Sequence, residues 1–145
     1  MVLLDTNVLI YASEPASPFC SWARKVIADE VSSGGAGVNA AVLAELAAGD
    51  AAPETIVDRI RGWGVSVLDV PAAAGPVCGK AYAEYRRRRK AESGLDAPRM
   101  PLPDFFIGAH AEIMRWPVAT ADVARFQTCF PSVRLIVPPS PFAST

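Results

Sequence analysis

Met1-Val2-Leu3-Leu4-Asp5-Thr6-Asn7-Val8-Leu9-Ile10-Tyr11 opens with an apolar run, is stopped by three polar residues, and then turns apolar again. A strand buried on both faces reads as a continuous apolar run rather than an alternating one. Residues 2–4 are therefore predicted as a buried strand that feeds directly into a helix.

The same reading extends along the chain. Phe19, Trp22, Ala23, Val26 and Ile27 recur at helical spacing, and Gly34-Gly35-Ala36-Gly37 ends that helix. Val38 leads to Asn39, a suitable N-cap for a helix over residues 40–48 that Gly49 closes. Pro53 is a good first residue for a further helix to Arg61, and residues 65–70 alternate as a second clear strand. A long helix follows over residues 72–92, weakened by Gly75 and Gly79. Residues 93–103 read as a loop, 104–115 as a helix, 116–120 as a short strand, Asp122 as the start of a helical turn, and 133–137 as the last strand. Strands alternating with helices, without repeat or internal boundary, indicate one α/β domain over residues 1–138 with a mostly parallel sheet; residues 139–145 form a frayed Pro/Ser-rich tail. Such sheets place their sites beyond the carboxyl ends of the strands, near the topological switch point.

Composition excludes several other classes. The chain has 145 residues, 51% of them apolar and 20% charged, and its length suffices for a core without staples. Cys20, Cys78 and Cys129 are odd in number and lack Cys-x-x-Cys spacing, so neither a disulfide framework nor a zinc site is expected. No apolar stretch is long enough to span a membrane, and the first residues lack a basic signal-peptide region, so a cytoplasmic location is expected. The net charge of −1 is an average over unlike parts. Residues 80–99 carry seven basic and three acidic residues, or +4; the remainder carries seven basic and twelve acidic, or −5.

Most acids lie in polar surroundings, but four do not. Asp5 ends the first strand; Glu45 is set in Ala-Val-Leu-Ala-Glu-Leu-Ala-Ala; Asp104 precedes Phe105-Phe106-Ile107; Asp122 follows the strand ending at Thr120-Ala121. Taken singly, Asp104 and Asp122 suit helix N-termini, Asp5 suits a turn, and Glu45 suits an arginine partner. Taken together, α/β topology gathers such positions on one edge of the sheet. Like charges about 4–5 Å apart repel by roughly 3–4 kcal/mol at an effective dielectric of ~20. The fold must therefore protonate some of them or bind a cation. An all-oxygen donor set selects Mg²⁺ or Mn²⁺ over zinc, and such ions serve hydrolysis of a nucleic-acid backbone.

At these same positions Val-Leu-Leu-Asp5-Thr-Asn7-Val-Leu-Ile, Val-Leu-Ala-Glu45-Leu, Pro-Asp104-Phe-Phe-Ile-Gly-Ala-His-Ala and Ala-Thr120-Ala-Asp122-Val-Ala-Arg-Phe resemble, in order, the motifs of PIN-domain ribonucleases. The nearest likeness is to VapC-like toxins of bacterial type II toxin–antitoxin modules, and it extends over about residues 2 to 138. The resemblance implies a three-layer α/β/α fold and a metal-dependent endoribonuclease in which Asp5, Glu45, Asp104 and Asp122 hold Mg²⁺ or Mn²⁺. It further implies that Asn7 orients the Asp5 carboxylate and that Thr120 lines the site. The implied partners are a structured RNA such as tRNA or rRNA, a cognate antitoxin and a second copy of the chain. Ala121 departs from the family pattern, standing where many relatives carry a polar or basic residue.

Other features are weaker. Arg86, Arg87, Arg88, Arg89 and Lys90 step by about 100° each and so spread around a helix; they suit a solvated helix end or a non-specific phosphate attractor. His110 is six residues after Asp104, about 240° away around the axis, and is expected to pack or lie at the surface. Phe105 and Phe106 are expected in the core rather than stacked on bases. Two alternatives remain: a non-catalytic PIN-like protein that binds RNA or a partner, and a phosphotransfer domain. For the latter, Asn7 stands where the phosphatases need a second Asp, and no lysine ends a late strand.

Overall fold

The computed structural model describes residues 1–93 and 102–140. Val2–Leu4 forms strand β1, all of it buried, and helix α1 runs from Thr6 to Ala12. Helix α2 covers Cys20–Ser32, strand β2 Ala36–Asn39 and helix α3 Ala40–Ala48. A 3-10 turn at Pro53–Thr55 leads into α4 (Ile56–Gly62), then strand β3 (Ser66–Leu68) and the long helix α5 (Ala74–Ser93). Helix α6 spans Leu102–Met114, strand β4 Val118–Ala119, helix α7 Val123–Cys129 and strand β5 Leu135–Ile136.

The five strands pair in the order β3-β2-β1-β4-β5, and every pairing is parallel. With its helices this is the expected three-layer α/β/α arrangement, its sheet wholly rather than mostly parallel. The chain begins at the centre of the sheet, builds outward through β2 and β3, then returns to the other side of β1 for β4 and β5. The switch point therefore lies between the carboxyl ends of β1 and β4, where Leu4 is in register with Ala119.

Two elements differ from the sequence reading. The glycine-rich stretch read as a helix break is also a strand. At Gly37 an added Cβ would lie 2.5 Å from Leu68 Cδ1, so the missing side chain is what lets β2 lie against β3. Helix α6 begins at Leu102, two residues before the expected start, because Pro103 is tolerated in a first turn. The rest of the expected loop, residues 94–101, and residues 141–145 of the expected tail lie outside the described residues.

The core is built on β1 and α6. Leu3, Leu4, Val8, Val38, Phe105 and Ile107 are almost fully buried. Phe105 anchors an aromatic cluster, with ring centroids 5.2 Å from Tyr82, 5.5 Å from Tyr85 and 6.0 Å from Phe130. Gly108, one turn on, faces the Phe130 ring so closely that a Cβ there would overlap it. Phe105 is therefore a core residue, as expected, while Phe106 is only half-buried. Arg115 ends α6 in the left-handed region at φ 57°. The Trp116 N–H then donates to Ala111 O at 3.0 Å and the Arg115 N–H to Glu112 O at 3.3 Å, a Schellman closure with arginine where glycine is usual.

Candidate functional site

The carboxyl ends of β1 and β4 bring Asp5, Thr120 and Asp122 together, and the first turn of α6 adds Asp104. Asp5 is 1% exposed and both its oxygens are engaged. Oδ1 accepts the Thr6 N–H at 2.8 Å, which caps α1; Oδ2 accepts the Thr120 hydroxyl at 2.8 Å and the Asn7 amide at 3.0 Å. Asn7 Oδ1 in turn accepts the Ala121 N–H at 3.2 Å, and Thr120 Oγ1 accepts the Asp122 N–H at 2.9 Å. This network ties residues 5–7 to residues 120–122 across more than a hundred positions of sequence. Ala121 thus enters through its backbone, although it has no polar side chain to offer.

Asp122 stands at the N-cap of α7 but makes no side-chain cap bond. Its Oδ2 instead accepts from Arg125 Nη2 at 2.7 Å and Nε at 3.0 Å. The same guanidinium lies 3.3 Å from Asp104 Oδ1 through Nη1 and 4.0 Å from Asp5 Oδ2 through Nη2. Sequence reading missed Arg125. The available signal was its position three residues after Asp122 on a helix, where opposite charges meet.

Glu45 reaches the centre from α3, on the other side of β1. Its side chain is solvent-accessible, yet desolvation by its surroundings, reinforced by the facing Asp104 and by Asp5, pushes its pKa up to about 7. Among the described residues no Arg or Lys forms an ion pair with it, so the arginine-partner reading does not hold there. Burial also raises the Asp5 pKa, against the opposing pull of Arg125 and the hydrogen bonds from Thr120 and Thr6. For Arg125, burial disfavours the charge, but Asp5, Asp122 and Asp104 outweigh it and hold the pKa above its ordinary value.

Among the described residues no group of three or more His, Cys, Asp or Glu side chains forms a ready-made cation cage; the acids are arranged about Arg125. The chemistry of the centre nevertheless suits a hard ion. Its donors are all oxygens, and burial raises the pKa of two of the carboxyls, Asp5 and Glu45, which a bound cation would offset.

The remaining expectations fall away from this centre. His110 is 1% exposed, and its Nδ1 accepts the Asn39 amide at 3.2 Å, so it is a packed residue. Of the five basic residues on α5, Arg86, Arg87 and Lys90 line one shallow groove with Ala83. The cluster is thus less dispersed than the helical wheel suggested, because positions i, i+1 and i+4 share a face. Arg88 turns to α7 and donates to Thr128 O at 3.4 Å, and Arg89 is half-buried.

Fold and centre together define a class: a parallel α/β/α domain with carboxylates assembled at the switch point of its sheet. The chain belongs to the PIN domain family, whose sequence profile matches residues 2–128. No curated protein matches it significantly. Among solved structures, DNA-bound VapBC from Salmonella typhimurium is similar in fold, with TM-score 0.67, 24% identity and coverage of 94% of this chain and 98% of that one. A toxin–antitoxin complex from Klebsiella pneumoniae gives TM-score 0.64 at 16% identity, covering 96% of this chain and 98% of that chain. VapBC2 from Rickettsia felis, bound to a promoter DNA fragment, gives 0.62 at 20%, covering 94% and 98%.

Proposed function

We propose that the chain is a metal-dependent endoribonuclease, the toxin of a toxin–antitoxin pair. The observation that carries this reading is the convergence of Asp5, Asp104 and Asp122 on one point at the switch of the sheet, with Glu45 facing Asp104. Membership of the PIN domain family, whose members are generally nucleases, supports it. Asp5, Glu45, Asp104 and Asp122 would hold Mg²⁺ or Mn²⁺. When bound, such an ion lowers the pKa of a water and neutralises charge on a phosphodiester. The chain's own residues do the positioning. Asn7 and Thr120 fix Asp5 Oδ2, the Thr6 N–H fixes Oδ1, and Glu45, with a pKa near neutrality, can accept a proton at its carboxylate.

Partners follow from the surface. A groove of about 390 Å³ runs beside Glu45, lined by Leu9, Ile10, Leu46, Ile60 and Trp63 among others. Ile10 is 41% and Trp63 46% exposed, an apolar edge that suits a helical antitoxin segment. The basic groove of Arg86, Arg87 and Lys90 suits a structured RNA of tRNA or rRNA type, and the reading includes a homodimer in the cytoplasm. Among the described residues no helix is long and apolar enough to cross a membrane.

The deciding experiment is RNA cleavage with Mn²⁺ or EDTA by wild type, Asp5→Asn and Asp104→Asn. Activity is expected only for wild type with metal; undiminished cleavage by both variants would overturn the reading. The guanidinium among the acids favours a second reading, a non-catalytic PIN-like protein that binds RNA or a partner. A metal titration separates the two, since Mn²⁺ raises the melting temperature of a protein that binds it and leaves a non-binding module unchanged.

A further inference from the structure

Acids supplied by residues 5, 104 and 122 converge on Arg125 rather than on one another. One planar guanidinium meets all three: two nitrogens on Asp122 at 2.7 and 3.0 Å, one on Asp104 at 3.3 Å, and the edge of Asp5 at 4.0 Å. Its fork of five donors allows this, whereas an ammonium is a single point charge. The side chain is 17% exposed, and its Cζ lies 5.7 Å from the ring centroid of Phe126, which is itself buried. Arg125 is thus rooted in the first turn of a well-anchored helix, while its charged end hangs on a flexible three-carbon stem. Three aspartates, with Glu45 facing Asp104, outnumber the one arginine, so the centre still attracts a divalent cation. Such an ion takes carboxylate oxygens at about 2.0–2.1 Å in the case of Mg²⁺. The guanidinium now holds Asp122 Oδ2 and Asp104 Oδ1, and it occupies the space among the three carboxyls, so an ion that draws them together competes with it.

We propose that Arg125 is the resident counter-cation of this centre, holding Asp5, Asp104 and Asp122 in position without metal and yielding its place when a divalent ion binds. Arg125 is a positioning residue that sets metal affinity. The inference rests on the metal-dependent reading above, and its test distinguishes the two.

Mn²⁺ affinity is measured by loss of the free-ion electron paramagnetic resonance signal for wild type, Arg125→Gln and Arg125→Lys, with folding checked by circular dichroism. Arg125→Gln is expected to bind Mn²⁺ about tenfold more tightly or better, the scale on which neighbouring groups tune metal sites. Arg125→Lys is expected to fall between the two. In EDTA the Gln variant melts below wild type, and Mn²⁺ closes the gap. A second measurement needs no variant: the Arg125 Nε–H resonance, bonded to Asp122, should shift when wild type is saturated with Mg²⁺. Equal or weaker Mn²⁺ affinity in a folded Gln variant overturns the proposal, as does an unmoved Nε–H resonance. If no protein binds Mn²⁺, the metal-dependent reading falls with it; if all bind equally, only the role of Arg125 falls.

Discussion

Asp5 accepts three hydrogen bonds from Thr6, Asn7 and Thr120, and this sets what a substitution near it does. Asn7 is the only one of the three whose side chain also holds the Ala121 backbone. Replacing Asn7 with Ala should leave the fold intact but leave Asp5 Oδ2 to Thr120 alone and untie the Ala121 backbone, with a loss of roughly 10- to 100-fold in metal affinity measured by calorimetry. Glu45 gives a pH signature. Its folded pKa of about 7 lies above the ordinary value of 4.5, so the folded state binds more protons than the unfolded state between those values. Stability then falls as pH rises from about 4.5 to about 7 and is flat beyond. In EDTA, urea midpoints should show this decline for wild type and a shallower one for Glu45→Gln. Asp5, facing the same Asp104, contributes the decline that remains.

Asn39 shows how one element end serves the next. It closes β2, caps α3 by accepting the Ala41 and Val42 N–H groups at 3.0 and 3.3 Å, and donates to buried His110. Asn39→Ala should therefore cost about 1 kcal/mol for the cap and a further ~1–3 kcal/mol for the unpaired His110 nitrogen, read from denaturant unfolding. The opposite sign is expected at Arg115, whose left-handed backbone costs an L-residue about 1 kcal/mol; Arg115→Gly should stabilise by up to that amount. The cap at Asn39 was legible because it needs only a side chain at a fixed offset from an apolar run. Strand β2 was not, because Gly37 is there to let Leu68 in, and a close approach from thirty-one residues away leaves only a glycine in the local pattern. The four acids were legible as polar residues out of place among apolar neighbours. Arg125 was not, since its significance depends on Asp5 and Asp104, which only the folded chain brings beside it.

At the scale of the molecule the near-zero net charge separates into an acidic centre and a basic helix end. The end of α5 packs beside α7, the helix that carries Arg125. Replacing Arg86, Arg87 and Lys90 with Gln should reduce the slope of log affinity against log salt by up to about 2 on single-stranded RNA, measured in EDTA so that nothing is cut. An unchanged slope would remove this face from the RNA-binding surface. The order β3-β2-β1-β4-β5 also has a consequence for how the protein is made. In synthesis the central strand and Asp5 come before Glu45, and both precede Asp104, Thr120 and Asp122. A nascent chain that extends past Glu45 but not yet to Asp104 carries two of the four acids and neither the Thr120 hydroxyl nor the Arg125 guanidinium. The centre cannot assemble until β4 slots in beside β1, so on the proposed reading a partly made chain has no assembled centre with which to cut RNA.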